Sequence, residues 1–107
     1  MHRKQFPPPS RAAERLTEYL DIINSKQSER GVALRYDIYR RAGSTAQTDG
    51  WIKYLEENGL IKRVMYNGKE AFRKTQNGEI MHELLLKHRD LVGLLTRELS
   101  GNRRKSW

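Results

Sequence analysis

The sequence predicts a mainly α-helical fold with one small β-hairpin, on three observations. Apolar residues recur at helical spacing over several stretches of the chain. Serine, threonine and glycine stand where such stretches begin or end. Between two short strand-like runs lies Asn67-Gly68, the dipeptide a type I′ turn prefers because both of its central residues need positive φ.

Residues 1–10 contain Pro7-Pro8-Pro9, which cannot donate backbone hydrogen bonds and favours an extended arm. Ser10 is an N-cap. From Arg11 to about Lys26, Ala13, Leu16, Leu20 and Ile23 recur at steps of three and four, with Tyr19 and Ile22 widening the stripe into a first helix. Ser28-Glu29-Arg30-Gly31 is expected to break it. The apolar patch Val32-Ala33-Leu34 then leads into a second helix with Leu34, Ile38 and Ala42 on one face, stopped by Gly43. Ser44 caps a third helix through about Asn58, whose inward face carries Thr48, Trp51, Ile52 and Leu55, and Gly59 stands at its left-handed C-cap. Two short helices joined by a tight glycine turn make a helix-turn-helix.

The runs Ile61 to Tyr66 and Lys69 to Lys74 form a two-stranded wing. Counting from the turn places Lys62, Tyr66, Lys69 and Arg73 on a basic face and Ile61, Met65 and Phe72 on a packing face. Thr75 caps a last helix that runs without proline to about Ser100, roughly 36 Å. Ile80, Met81, Leu84, Leu85, Leu91, Val92, Leu94, Leu95 and Leu99 cover more of it than one stripe against its own domain requires, so the surplus needs a partner. Leu84, His88, Leu91, Leu95 and then Glu98 or Leu99 follow alternating steps of four and three over barely two heptads. Gly93 costs this helix about 1 kcal/mol relative to alanine, tolerable where another helix crosses closely. The chain divides into a basic Pro-rich arm (1–10), a winged helix-turn-helix domain (11–75), a dimerisation helix (76–100) and a basic tail (101–107).

Composition limits the function classes. With 107 residues, 36% hydrophobic and 32% charged, the chain is one foldable domain whose small core gains from a second subunit. Met1-His2-Arg3-Lys4 leads into prolines and no apolar run reaches about 18 residues, so neither a secretory signal nor a membrane span is expected, and the protein is placed in the cytoplasm with the nucleoid. Zero cysteines exclude disulfides and thiolate ligands. Of the net charge of +8, six come from the ends, through Arg3, Lys4, Arg11, Arg103, Arg104 and Lys105. Residues 35–74 add nine Lys or Arg against five Asp or Glu. Clustered positive charge points to a polyanion, because each neutralised phosphate releases condensed counterions.

Three helices and a hairpin put the third helix in a major groove and the wing on neighbouring backbone. Opposite the Ile52/Leu55 stripe lie Ala46, Gly50, Lys53 and Glu57. Gln47 can pair bidentately with adenine, and Lys53 reaches guanine or phosphate, while small Ala46 and Gly50 let the helix sit deep. Asp49 and Glu57 repel phosphates. Lys62, Lys69 and Arg73, with Tyr66 beside them, suit phosphates, and Arg35, Tyr36, Arg40 and Arg41 in the second helix add to these. Ser44, Thr45 and Tyr54 complete the candidate DNA-binding set. The interface set is Met81, Leu84, Leu85, His88, Leu91, Val92, Leu95 and Leu99. Trp51 falls at the margin of the buried face and reads as core. His82 and His88, six residues apart, point about 120° from each other and make no metal site. No phosphate-cradling glycine loop, nucleophile with a base, or paired carboxylates occurs, so no enzyme activity, cofactor or metal is expected.

Residues 33–86 resemble the small archaeal winged-helix DNA-binding proteins known from Sulfolobus, dimers sometimes classed as chromatin proteins. The likeness rests on Ser44, on Trp51-Ile52-Lys53-Tyr54-Leu55, on Gly59-Leu60-Ile61, and on Thr75-x-x-Gly78-Glu79. It implies an antiparallel coiled coil of the last helices holding two winged domains apart. Gly50, Asp49, the Pro-rich arm and the short seam depart from that pattern. The expected function is duplex DNA binding as a homodimeric regulator or nucleoid-type protein, mainly through phosphates. The alternatives are a winged-helix module that binds a protein partner, and an RNA binder.

Overall fold

The elements form in the order α1 (Ala12–Arg30), β1 (Ala33–Leu34), α2 (Arg35–Ala42), α3 (Thr45–Glu57), β2 (Ile61–Tyr66), β3 (Lys69–Lys74) and α4 (Gln76–Lys105). They are seen in a computed structural model that describes residues 12–105, and side chains over 12–95. The arm at 1–10 and Trp107 lie outside the described residues, as does the side chain of Leu99.

Helix α1 outlasts its expected end by four residues. Nothing in Ser28-Glu29-Arg30 forbids helical backbone, and Lys26 pairs with Glu29 one turn on at 3.3 Å. Only Gly31, at φ 93°, leaves the helical region, its N–H donating to the Gln27 carbonyl. Ala13, expected in the apolar stripe, is exposed, and Thr17 is buried in its stead, its hydroxyl donating to the Ala13 carbonyl.

The patch before α2 is a strand, which the two-stranded reading of the wing had left out. Ala33 pairs with Phe72 and Leu34 with Ala71, giving an antiparallel sheet of order β1-β3-β2. At two residues β1 is too short to show the alternation by which strands are recognised. Leu34 has no side-chain acceptor, so only the return half of a capping box forms, with the Leu34 N–H donating to Asp37 at 3.0 Å. Arg30 closes on the same carboxylate at 3.1 Å.

Local signals hold elsewhere. Ser44 accepts from the Gln47 N–H as N-cap of α3, and Asn67 and Gly68 take φ of 51° and 77°, both positive as a type I′ turn needs. Thr75 accepts from the Gly78 N–H to cap α4 and ties back by donating its own N–H to the Leu60 carbonyl and its hydroxyl to that of Gly59.

The core joins Tyr19, Leu20 and Ile23 of α1, Ile38 of α2, Trp51, Ile52 and Leu55 of α3, and Ile61 and Phe72 of the sheet. Trp51 is 2% exposed and stacks on Tyr19 at 5.6 Å, which settles its role as core. Met65, placed on the packing face, is 71% exposed, because β2 has by then passed beyond the helices that cover Ile61. Helix α4 seats on the core through Met81 and Leu85. Beside them buried His82 receives Lys74 Nζ at 3.2 Å on Nδ1 and donates from Nε2 to Asp21 at 2.6 Å, joining α4, β3 and α1. The helix extends to Lys105, so residues 101–105, expected in a basic tail, have helical backbone.

Candidate nucleic-acid interface

The candidate cations separate by what they touch. Across the wing, Lys62 stands directly opposite Arg73 and Tyr66 opposite Lys69, on one face as expected. Lys62, Lys69 and Arg73 are exposed. Like charges directly opposite cost stability in an antiparallel pair, so Lys62 against Arg73 has no structural rationale of its own. Lys53 and Arg41 are exposed as well, and Arg40 lies over the ring of Tyr36, which is 64% exposed. These cations have no carboxylate partner among the described residues.

Arg35 is spent differently. From the first turn of α2 its Nη1 donates to Asp49 at 2.7 Å, and its Nε and Nη2 donate to Glu70 at 3.0 and 2.6 Å. Glu70 is shared with Arg63, whose Nη1 lies 2.9 Å away and which donates from Nη2 and Nε to Glu56 at 2.9 and 3.1 Å. Both guanidinium groups lie over Phe72. Tyr39 adds its hydroxyl to Asp49. Asp49, expected to repel phosphate, is therefore compensated twice.

The electrostatics follow these contacts. Partial burial opposes the charge on Arg35, but hydrogen bonds to Glu70 and Tyr39 and the nearby carboxylates outweigh it and hold the guanidinium well above its ordinary value. Arg63 is raised first by its hydrogen bonds to Glu56. The Tyr39 phenol is raised, first by the hydrogen bond its hydroxyl donates to Asp49.

By the strand register, Arg63, Met65, Glu70 and Phe72 share the face of the sheet toward α2 and α3, whereas Lys62, Tyr66, Lys69 and Arg73 share the other. The structure thus gathers the basic wing residues but separates them from Arg35. On α3, Thr45, Gln47 and Lys53 are exposed, Gly50 and Tyr54 half-buried, and Gln47 receives Arg15 at 3.1 Å. Ser44 is occupied as the cap. Arg63, Glu70 and Glu56 are absent from the sequence-based set. The one signal for them was the diagonal placement of Arg63 and Glu70 across the hairpin, within reach of long side chains.

Of the interface candidates, Met81 and Leu85 pack on the domain's own core, while Leu84, Leu91, Val92 and Leu95 are 56, 59, 46 and 58% exposed. His88 is exposed beside α1. Ile80 and Leu94, outside the expected set, are also about half exposed. At about 100° per residue, Ile80, Leu84, Leu91 and Leu95 fall within about 60° of one another, and Gly93 lies on the opposite side with open space around it. Among the described residues there is no cluster of ligands able to hold a metal ion and no helix long and apolar enough to cross a membrane.

No family model matches the sequence, and no curated protein matches it. Solved structures do match in shape. A cysteine-substituted ZitR from Lactococcus lactis is similar at TM-score 0.60 and 15% identity over 95% of this chain, which spans 66% of that one. A MarR family protein from Bacillus stearothermophilus is similar at TM-score 0.55 and 17% identity, over 89% of this chain and 77% of its own. The order of elements, the β1-β3-β2 sheet and this likeness in shape together establish a winged-helix fold.

Proposed function

We propose that this chain binds duplex DNA as a homodimeric winged-helix transcriptional regulator or nucleoid-type protein, mainly through phosphate contacts. The observation that carries the reading is the cross-strand pair Lys62 and Arg73 with Lys69 beside them, cations kept exposed and, among the described residues, without acidic partners on a wing that folding does not require to be basic. Lys53 extends the set onto α3. The fold it shares with ZitR and the MarR family protein supports placing α3 in a major groove. The exposed stripe Ile80, Leu84, Leu91 and Leu95 supports a second copy on α4, and the resemblance to the archaeal dimers supports an antiparallel pairing of that helix.

The test is binding of the full chain to a mixed-sequence duplex between 50 and 300 mM salt. The log–log slope of affinity against salt is expected to be steeper than about −3. Binding absent at low salt, or indifferent to salt, sinks the reading. Preference for an RNA duplex in direct competition would replace DNA with RNA as the partner.

A further inference from the structure

The bridge Asp49–Arg35–Glu70–Arg63–Glu56 has a geometry that surface ion pairs rarely have. Asp49 and Glu56 are seven residues apart on α3, two turns and about 10.5 Å along one face of the helix. Arg35 reaches the first from α2, Arg63 reaches the second from β2, and Glu70 of β3 holds both guanidinium groups. The helix is thereby tied to the sheet at two points along its length. Thr48, Trp51, Ile52 and Leu55, buried in the core, set the roll of the helix; a single tie leaves it free to swing about that point, whereas two ties about 10.5 Å apart resist the swing. The guanidinium groups are fixed in their turn by the buried ring of Phe72 beneath them. Exposed ion pairs add little stability, so the arrangement matters for orientation more than for folding.

We propose that Glu70 is a positioning residue that fixes the angle of α3 against the sheet, so that Gln47, Gly50 and Lys53 are presented to base edges and the protein discriminates among duplex sequences. The inference rests on the reading that α3 enters a DNA groove. It adds sequence discrimination to a binding energy supplied mainly by phosphates. Glu70 lies on the sheet face opposite Lys62, Lys69 and Arg73, so removing its charge leaves those contacts in place. Hydrogen bonding of Gln47 and Lys53 to base edges is directional and is lost when the helix swings, whereas phosphate contact tolerates such movement.

The experiment is selection from a random-sequence duplex library with the full-length chain. Affinity for the enriched duplex and for a scrambled one is then compared in the wild type, Glu70→Gln and Glu56→Gln. Glu29→Gln, at a carboxylate outside the bridge, is the control. The wild type is expected to enrich a motif. Glu70→Gln is expected to lower the ratio of the two affinities about tenfold, without weakening binding to the scrambled duplex and with an unchanged circular dichroism spectrum. Glu56→Gln, which cuts only the far tie, moves the ratio in the same direction by less. An unchanged ratio in Glu70→Gln overturns the proposal, and so does a wild type that enriches nothing while still binding duplex DNA. A chain that binds no duplex at low salt overturns the underlying reading and this inference with it.

Discussion

At Gly78 one missing carbon decides how the long helix meets the domain. A Cβ built there would lie 1.9 Å from the Leu60 carbonyl oxygen and 2.9 Å from its carbon, both backbone atoms that cannot step aside. Gly78→Ala should cost roughly 3 kcal/mol or more and lower the melting temperature by more than about 10 °C. Gly93→Ala, in open space within the same helix, should instead gain up to about 1 kcal/mol. Thermal melts of the two variants check both, and equal effects would refute the contrast. Gly78 was visible in the sequence as part of the Thr75-x-x-Gly78-Glu79 string, but its reason was not, because the Leu60 carbonyl reaches it only through tertiary packing. Arg35 shows the same limit from the other side. Its charge was legible, and its commitment to Glu70, 35 residues away in sequence, was not.

Among the elements, those governed by local chemistry were legible. Asn67-Gly68 fixed both the hairpin and its register, and with the register the face that Lys62, Lys69 and Arg73 share. Ser44 and Thr75 fixed two helix starts. Strand β1 was not legible, since two residues carry no period and their pairing with β3 spans nearly 40 residues of chain. The wing supports a prediction of its own. Lys69→Ala with Arg73→Ala should weaken binding to every duplex by a similar factor and make the salt slope shallower by about 2, one unit for each lost phosphate contact. Fluorescence anisotropy titrations at several salt concentrations measure it. An unchanged slope would mean that this face of the wing stays off the nucleic acid.

For the molecule as a whole, the division of α4 into a seated half and an exposed stripe bears on the proposed dimer. The sequence showed a surplus of apolar residues but not which ones the domain keeps. Met81 and Leu85 are kept, while Ile80, Leu84, Leu91 and Leu95 remain outward. Burying a leucine contributes about 1.5–3 kcal/mol, so Leu91→Glu with Leu95→Glu should raise the dimer dissociation constant at least about 100-fold and leave the winged domain folded. Light scattering coupled to size exclusion at tens of micromolar reads the change, and a wild type that runs as a monomer defeats it. The bond from the Thr75 N–H to the Leu60 carbonyl and the close approach of Gly78 to that carbonyl carry a mechanical consequence for the proposed pair. Because α4 springs from the corner where α3 passes into β2, it cannot lean without taking that corner along. A lean of about five degrees over its 30 residues, about 45 Å, displaces the far end by about 4 Å. In the proposed DNA-bound dimer the long helix is thus a lever whose short arm ends at α3, and the spacing between the two copies and the angle at which each would meet its groove become one coordinate.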